Sequence, residues 1–296
     1  MKDILRSLVP STILEWNRAR KKQLRRIALD KKRNKGDTWT AEKLTQQLLD
    51  GGVDPTRDLL VHSSLSAIGY VEGGPSTVVH ALLGSIDADT TLLMPSSPVV
   101  TLQAEHALEE FDVAQTPSRM GAITEVFRTE FAHARSAHPL EPVAAYGPKS
   151  IDYCTGHHTD ATPYGEHSPW RKHMEWNGQI LYIGTTLINS GTSLHAVEDA
   201  IGWKSFKFPV YLPESRTFKV ISGERTVEVV SKVHNPEMSA KRECDGLIPL
   251  LEKEGALRHL QIGEAKALLV DAAKMKSILL KAYTSSGVTM YTTSGS

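Results

Sequence analysis

The chain has 296 residues and a formal net charge of zero, with 40% apolar and 23% charged residues. This composition is typical of a globular protein with a substantial core and argues against a disordered chain. No apolar run reaches the ~20 residues that span a bilayer, and the N-terminus lacks a signal-peptide core, so we expect a cytoplasmic protein rather than a secreted or integral membrane protein. Cys154 and Cys244 lack CxxC spacing, which predicts neither a disulfide framework nor a cysteine zinc site.

The first 35 residues carry an excess of positive charge. They hold twelve Lys/Arg against three Asp/Glu, a net charge of +9, which leaves −9 for the rest of the chain. Apolar residues such as Ile13, Trp16 and Leu24 are interleaved with basic ones, as in a basic amphipathic helix. One interpretation is a solvated helical extension, and the other is peripheral contact with anionic lipid at the inner face of the membrane. No sequence-reading nucleic-acid module is recognisable, so we expect no nucleic-acid partner.

The pattern predicts one domain over residues 38–285, between a basic helical extension over 1–37 and a flexible tail over 286–296. Thr38 or Thr40 can cap a first helix that passes Leu44 and Leu48 and stops at Gly51. Periodicity then predicts a strand over 58–62, a helix over 75–83, a strand over 91–94, a helix over 122–127 and a strand over 178–184. Buried strands that alternate with helices predict an α/β fold.

The pattern changes over residues 207–233, where polar and apolar residues alternate. This predicts a small antiparallel sheet, either inserted or at an edge, rather than further βα units. Helical periodicity returns over 247–257 and again over 272–280, after a strand over 267–270.

Two short segments have the composition of anion-binding turns. His62-Ser63-Ser64-Leu65-Ser66 follows a buried strand, and Gly73-Gly74-Pro75 opens the next helix, so free backbone N–H groups there could hold a phosphate. Ser118-Arg119-Met120-Gly121 precedes another helix and adds a positive charge. Because neither segment is a GxGxxG motif or a P-loop, a plain tight turn and a capped helix start with a solvated arginine stay open as alternatives.

Seven of the twelve histidines lie between His133 and His195. His157, His158 and Asp160 have donor atoms for zinc, but HExxH spacing is absent and we expect no metal.

His195 is the candidate general base. Residues 192–198 have the pattern of a helix start, and His195 and Glu198, three residues apart, share one helical face. A carboxylate beside an imidazole orients the ring and supports its protonated form, which suits a base that accepts a proton from an amine. The alternative is an ordinary surface His/Glu pair.

Spaced motifs over about residues 45–285 resemble, in order, those of the aminoglycoside 3-N-acetyltransferase family. The resemblance implies a mixed sheet flanked by helices, unlike the GNAT acetyltransferases, with acetyl-CoA as donor and an amine as acceptor. The motifs are Leu59-Leu60-Val61-His62-Ser63-Ser64-Leu65-Ser66, Gly73-Gly74-Pro75, Met94-Pro95, Ser118-Arg119-Met120-Gly121-Ala122, Arg135-Ser136-Ala137-His138-Pro139, Tyr164-Gly165-Glu166-His167-Ser168-Pro169 and Thr192-Ser193-Leu194-His195.

The resemblance also implies roles for individual residues. The segments 62–66 and 118–121, with Gly73 and Gly74, would line the CoA site. His195 corresponds to the family's catalytic histidine, and Glu198 to the acidic residue that often follows it. Residues 164–169 resemble an active-site loop, from which we expect Tyr164, Glu166 and Ser168 to contact the substrate.

We therefore expect direct transfer of an acetyl group from acetyl-CoA to an amine, with His195 as base. The basic extension favours an aminosugar acceptor from glycan or nucleotide-sugar biosynthesis, near membrane-bound polysaccharide assembly; the alternative is an aminoglycoside antibiotic. Two other classes stay open, a metal-dependent hydrolase that uses the histidine cluster and a CoA-binding protein without catalysis. A homodimer is the expected assembly on general grounds.

Overall fold

The computed structural model describes residues 38–99 and 107–295, together with residues 20 and 23. Apart from those two positions, the basic extension predicted over 1–37 lies outside the described residues, and its contact with lipid stays a prediction. Among the described helices, none combines the length and the apolar character needed to cross a membrane.

The strands and helices of these ranges follow the predicted α/β alternation. The strands are β1 (Leu59–Ser63), β2 (Leu92–Pro95), β3 (Glu110–Asp112), β4 (Ala134–Arg135), β5 (Val143–Tyr146), β6 (Gln179–Ile183), β7 (Tyr211–Ser222), β8 (Arg225–His234), β9 (Leu257–Ile262) and β10 (Ala265–Asp271). The helices are α1 (Ala41–Asp50), α2 (Leu65–Ile68), α3 (Pro75–Leu83), α4 (Ala122–Val126), α5 (Ser150–Cys154), α6 (Pro169–Glu175), α7 (Leu187–Ser190), α8 (Thr192–Ile201), α9 (Pro236–Ser239), α10 (Ile248–Lys253) and α11 (Ala272–Ser286). A π-helical segment, Phe127–Phe131, continues α4.

A seven-stranded mixed sheet in the order β4-β5-β2-β1-β6-β10-β9 forms the centre of the domain. Central β1 runs parallel to β2 on one side and to β6 on the other, and the outer neighbours pair antiparallel. Successive side chains of a strand point to opposite faces. Accordingly, Leu60 packs in one core cluster with α6, α8 and α11, whereas Leu59 and Val61 pack in another with α1 and α3. The fold is therefore a sheet with helices on both faces.

The position of β1 defines where a site should form. The chain leaves β1 toward β2 on one side and later returns to β6 on the other. In open α/β sheets, the crevice outside the carboxyl ends of strands that diverge in this way is where ligands bind. The segments that follow β1, β2 and β6 meet at this edge: Arg119 N donates to Ser97 O at 2.8 Å, and Ser64 N donates to Ile183 O at 2.9 Å.

The antiparallel strands predicted over 207–233 are present as a hairpin of β7 and β8, and β3 extends it into a three-stranded sheet by pairing parallel with β7. The sequence did not predict β3, because three residues are too few to show the alternation of a strand. A buried contact of 3.2 Å between Ser231 Oγ and His138 Nε2 ties the hairpin to the main domain. The hairpin thereby returns His234, the last residue of β8, to the domain core.

Two parts of the C-terminal region differ from the prediction. Helix α10 ends at Lys253 and Gly255 has a φ of 69°, so Leu257, expected at the end of a helix, instead begins β9. The tail expected to be flexible over 286–296 is packed across 287–295, because Gly287 ends α11 in the left-handed conformation and turns the chain back. Val288 and Met290 are buried in the core there.

Candidate active site

The predicted contact between His195 and Glu198 is present within α8. His195 Nδ1 lies 2.9 Å from Glu198 Oε2, as expected for side chains three residues apart on a helix. Both side chains are buried, with relative exposures of 2% and 4%, which differs from a surface pair. Burial lowers the pKa of His195 well below its ordinary value, and neighbouring His234 and Arg242 lower it further. Burial raises the pKa of Glu198.

Aromatic side chains pack around the His195 ring. Tyr164 stacks on it with a centroid separation of 5.0 Å and an interplanar angle of 20°. His234 lies 4.4 Å away on another side, and Tyr211 stacks on His234 at 5.0 Å. Sequence reasoning missed His234 and Tyr211 because both come from the hairpin and have no motif of their own.

The His195 ring forms part of the wall of a pocket of about 190 Å³, which we call the base pocket. Arg242 lies in the same wall, and its Nη1 is 3.3 Å from His195 Nε2. Glu198 is behind the ring and does not reach the pocket. The base pocket is lined by Val99, Met120, Glu141, Tyr164, Ile188, Asn189, Ser190, Gly191, Thr192, His195, His234, Ser239 and Arg242.

A second cavity, of about 700 Å³, brings together the two predicted anion-binding segments, which are more than fifty residues apart in sequence. We call it the donor groove. Met120, Asn189 and Ser190 line both cavities, so the donor groove leads into the base pocket. The donor groove is lined by Ser63, Ser64, Leu65, Ser66, Gly69, Tyr70, Val71, Gly74, Arg119, Met120, Gly121, Ala122, Asn189 and Ser190.

Three residues expected to line the CoA site lie outside the donor groove. His62 is buried beneath it, with its ring 4.9 Å from Tyr182 and 6.0 Å from Trp170, and burial lowers its pKa to about 3. Gly73 supports the turn with a φ of 77°. Ser118 organises its own loop, because its Oγ accepts from Met120 N at 3.1 Å. None of these three residues lines the groove itself.

The loop over 164–169 divides between different environments. Tyr164 lines the base pocket, and its contact with a substrate stays a prediction. Glu166 is exposed and lines a separate hollow of about 370 Å³ together with Asp199. Ser168 is fully buried and caps α6: its Oγ accepts from Arg171 N at 3.1 Å and donates to Gly165 O at 2.7 Å. The expected substrate contact of Ser168 is wrong, because these structural bonds use its hydroxyl group.

Among the described residues, we find no group of three or more His, Cys, Asp or Glu side chains arranged to hold a metal ion. Both ring nitrogens of His157 have protein partners, Nδ1 with Ser136 Oγ at 2.9 Å and Nε2 with Pro163 O at 2.8 Å. The ring of His138 stacks on that of His157. These two histidines of the cluster therefore connect structural segments.

The fold and the cavities describe an α/β protein with a buried histidine–glutamate pair where a long groove meets a small pocket. A family model described as aminoglycoside 3-N-acetyltransferase matches residues 60–283, and the chain belongs to this family of acyltransferases. The predicted resemblance and the predicted fold class are thus confirmed.

Relatives and solved structures agree with this assignment. Aminoglycoside N(3)-acetyltransferase IX of Micromonospora chalcea is 28% identical over 191 residues, which cover 60% of this chain and 67% of the relative. Aminoglycoside N(3)-acetyltransferase IV of a Salmonella species is 34% identical over 166 residues, 54% of this chain but only 59% of the relative. A mutant of aminoglycoside acetyltransferase AAC(3)-IVa in complex with gentamicin superposes with a TM-score of 0.69 at 25% identity, covering 83% of this chain and 89% of that one.

Proposed function

We propose that this chain transfers the acetyl group of acetyl-CoA to an amine of an aminoglycoside, with His195 as general base. The observation that carries the proposal is the continuity of the two cavities, since a donor held in the groove would present its acyl end beside the base. The family assignment supplies the reaction class, and the chain's own residues supply the geometry.

The donor groove has the features that a CoA thioester requires. Its apolar wall includes Leu65, Val71 and Met120, which suit a pantetheine arm, and exposed Arg119 provides a positive charge for a phosphate. Ser63 Oγ is buried and has no hydrogen-bond partner among the described residues. A buried hydroxyl without a partner is costly, so Ser63 is suited to donate a hydrogen bond to the thioester oxygen.

The chemistry follows from the orientation of the base. Glu198 contacts Nδ1, and Nε2 is the nitrogen left to act on the substrate. The amine nitrogen attacks the thioester carbonyl carbon while its proton passes to His195 Nε2. The new C–N bond forms, the C–S bond breaks, and CoA leaves as the thiolate. Because no protein nucleophile is needed, we expect ternary-complex kinetics.

An aminoglycoside acceptor replaces the glycan-biosynthesis acceptor that the basic extension favoured. The relatives named above are aminoglycoside acetyltransferases, and one neighbouring structure holds gentamicin. Acidic side chains also line these cavities: Glu141 lines the base pocket, and Glu166 and Asp199 line the separate hollow next to Tyr164 in the chain. Carboxylates at these positions favour a polycation. Homodimer formation remains a prediction.

The test measures CoA thiol release from acetyl-CoA with gentamicin, apramycin, sisomicin, amino-sugar nucleotides and simple aminosugars. We expect turnover with an aminoglycoside and a loss of about 10²–10⁴-fold in kcat for His195→Ala, with binding of acetyl-CoA retained. The matched control is His259→Ala. His259 Nε2 lies 2.7 Å from Glu252 Oε1 in an exposed pair, and neither residue lines the base pocket or the donor groove. Turnover with amino-sugar nucleotides alone would show that the acceptor comes from glycan biosynthesis instead. Absence of acetyl-CoA binding would overturn the reaction class.

A further inference from the structure

Arg242 lies in the wall of the base pocket. It belongs neither to the predicted His195–Glu198 pair nor to the motifs that carry the family resemblance. It follows α9, and its Nε donates to Ser239 O at 3.0 Å, which fixes the start of the guanidinium group. Its Nη1 lies 3.3 Å from His195 Nε2. Across residues 38–99 and 107–295, no carboxylate is in ion-pair contact with this guanidinium.

We propose that Arg242 is the positioning residue that keeps His195 in the tautomer required of a base. A guanidinium group has only donors, so the Nη1 contact requires His195 Nε2 to be an unprotonated acceptor. The single proton of the neutral ring is then on Nδ1, where it is donated to Glu198 Oε2 at 2.9 Å. The inference rests on the proposed function, in which Nε2 receives the proton of the amine.

The charge of Arg242 also makes protonation of the resting ring less favourable. The other titratable groups around the ring are Glu198 on the same helix, Tyr164 on the loop before α6, His234 at the end of β8 and Glu141 in the pocket wall. Of these, only Glu198 contacts a ring nitrogen of His195. Arg242 on one side and Glu198 on the other therefore polarise the imidazole along one direction, with its lone pair toward the pocket.

The arrangement implies a sequence of contacts during turnover. The acceptor amine displaces the guanidinium from Nε2, because both groups need the same lone pair. When the proton has moved from the amine to Nε2, Glu198 stabilises the imidazolium, and repulsion from Arg242 favours release of that proton after CoA has left. Arg242 thus resets the base for the next cycle.

The first experiment requires no substrate. ¹⁵N NMR of histidine-labelled protein reports which ring nitrogen carries the proton and the pKa of each ring, and the His195 signals are assigned by their loss in His195→Gln. In the parent we expect Nδ1–H and unprotonated Nε2. In Arg242→Met, which has neither charge nor donor, we expect an Nε2–H population and a raised pKa of His195, because the neighbouring positive charge is gone. Arg242→Lys retains the charge and should remain close to the parent.

Kinetics then tests the consequence for turnover. For Arg242→Met, the acid limb of the kcat/KM profile should move to higher pH by the same amount as the NMR pKa. Arg258→Gln is the matched control, since Arg258 donates to Gly52 O at 3.0 Å from β9, an edge strand of the sheet, and lines neither the base pocket nor the donor groove. An unchanged His195 tautomer and pKa in folded Arg242→Met would overturn the inference. Absence of turnover with every amine would refute the proposed function instead, since the NMR result is independent of it.

Discussion

Replacement of Glu198 by Gln is the most informative single change to the site. Gln has the same shape and can still accept the Nδ1 hydrogen bond of His195 through its carbonyl oxygen, but it lacks the negative charge. The charge matters when His195 holds the proton of the amine. The positive imidazolium then favours the ionised form of Glu198 over the neutral form that burial favours, and the carboxylate lies 2.9 Å from Nδ1. Two unit charges about 4 Å apart at an effective dielectric constant of about 20 interact by about 4 kcal/mol, which corresponds to about 10³-fold in rate.

The assay compares kcat and the KM for acetyl-CoA in the parent, Glu198→Gln and Glu198→Asp. We expect kcat to fall by two to three orders of magnitude in the Gln variant, as about 3–4 kcal/mol implies, with little change in the KM for acetyl-CoA. Unfolding stability should be preserved, because an amide is less costly to bury than a carboxylate. The matched control is Glu252→Gln, which alters the exposed Glu252–His259 pair. A Glu198→Gln enzyme within threefold of the parent across the pH range would refute the electrostatic argument.

Three further predictions follow from the donor groove, the C-terminal segment and the buried histidines. Ser63→Ala and Arg119→Gln should each raise the KM for acetyl-CoA more than the KM for the acceptor, measured by initial rates at varied donor concentration. Met290→Ala should lower the free energy of unfolding by about 2–4 kcal/mol in urea titrations, since Met290 is buried in the core; an effect below about 0.5 kcal/mol would indicate a loose tail. Burial lowers the pKa values of His62 and His157 to about 3, so the unfolded chain binds protons that the folded chain does not, and stability should fall as pH drops below about 6.5. Each such histidine should remove about 1 kcal/mol between pH 6.5 and 5.5, and a stability that is constant over this range would contradict the assigned burial.

The parts of this protein that the sequence predicted correctly depend on neighbours in the chain. Helix α1 begins where Thr40 Oγ1 can accept from Lys43 N, and β1 is a short apolar run followed by a serine-rich turn. The contact between His195 and Glu198 follows from helical geometry alone. Spacing and residue type are sufficient in these cases, because the partners are at most a few residues apart.

The site as a whole depends on contacts that are distant in the chain. Only the parallel pairing of β1 with β2 and β6 brings residues 63–66 to residues 119–121, and only the return of the hairpin places His234 and Arg242 beside His195. Motif position also did not distinguish Tyr164, which lines the pocket, from Ser168, whose hydroxyl caps a helix. Local sequence predicted most of the elements and the contact between His195 and Glu198. The environment of that pair was decided by long-range packing, which buries both side chains and brings a distant guanidinium to His195 Nε2.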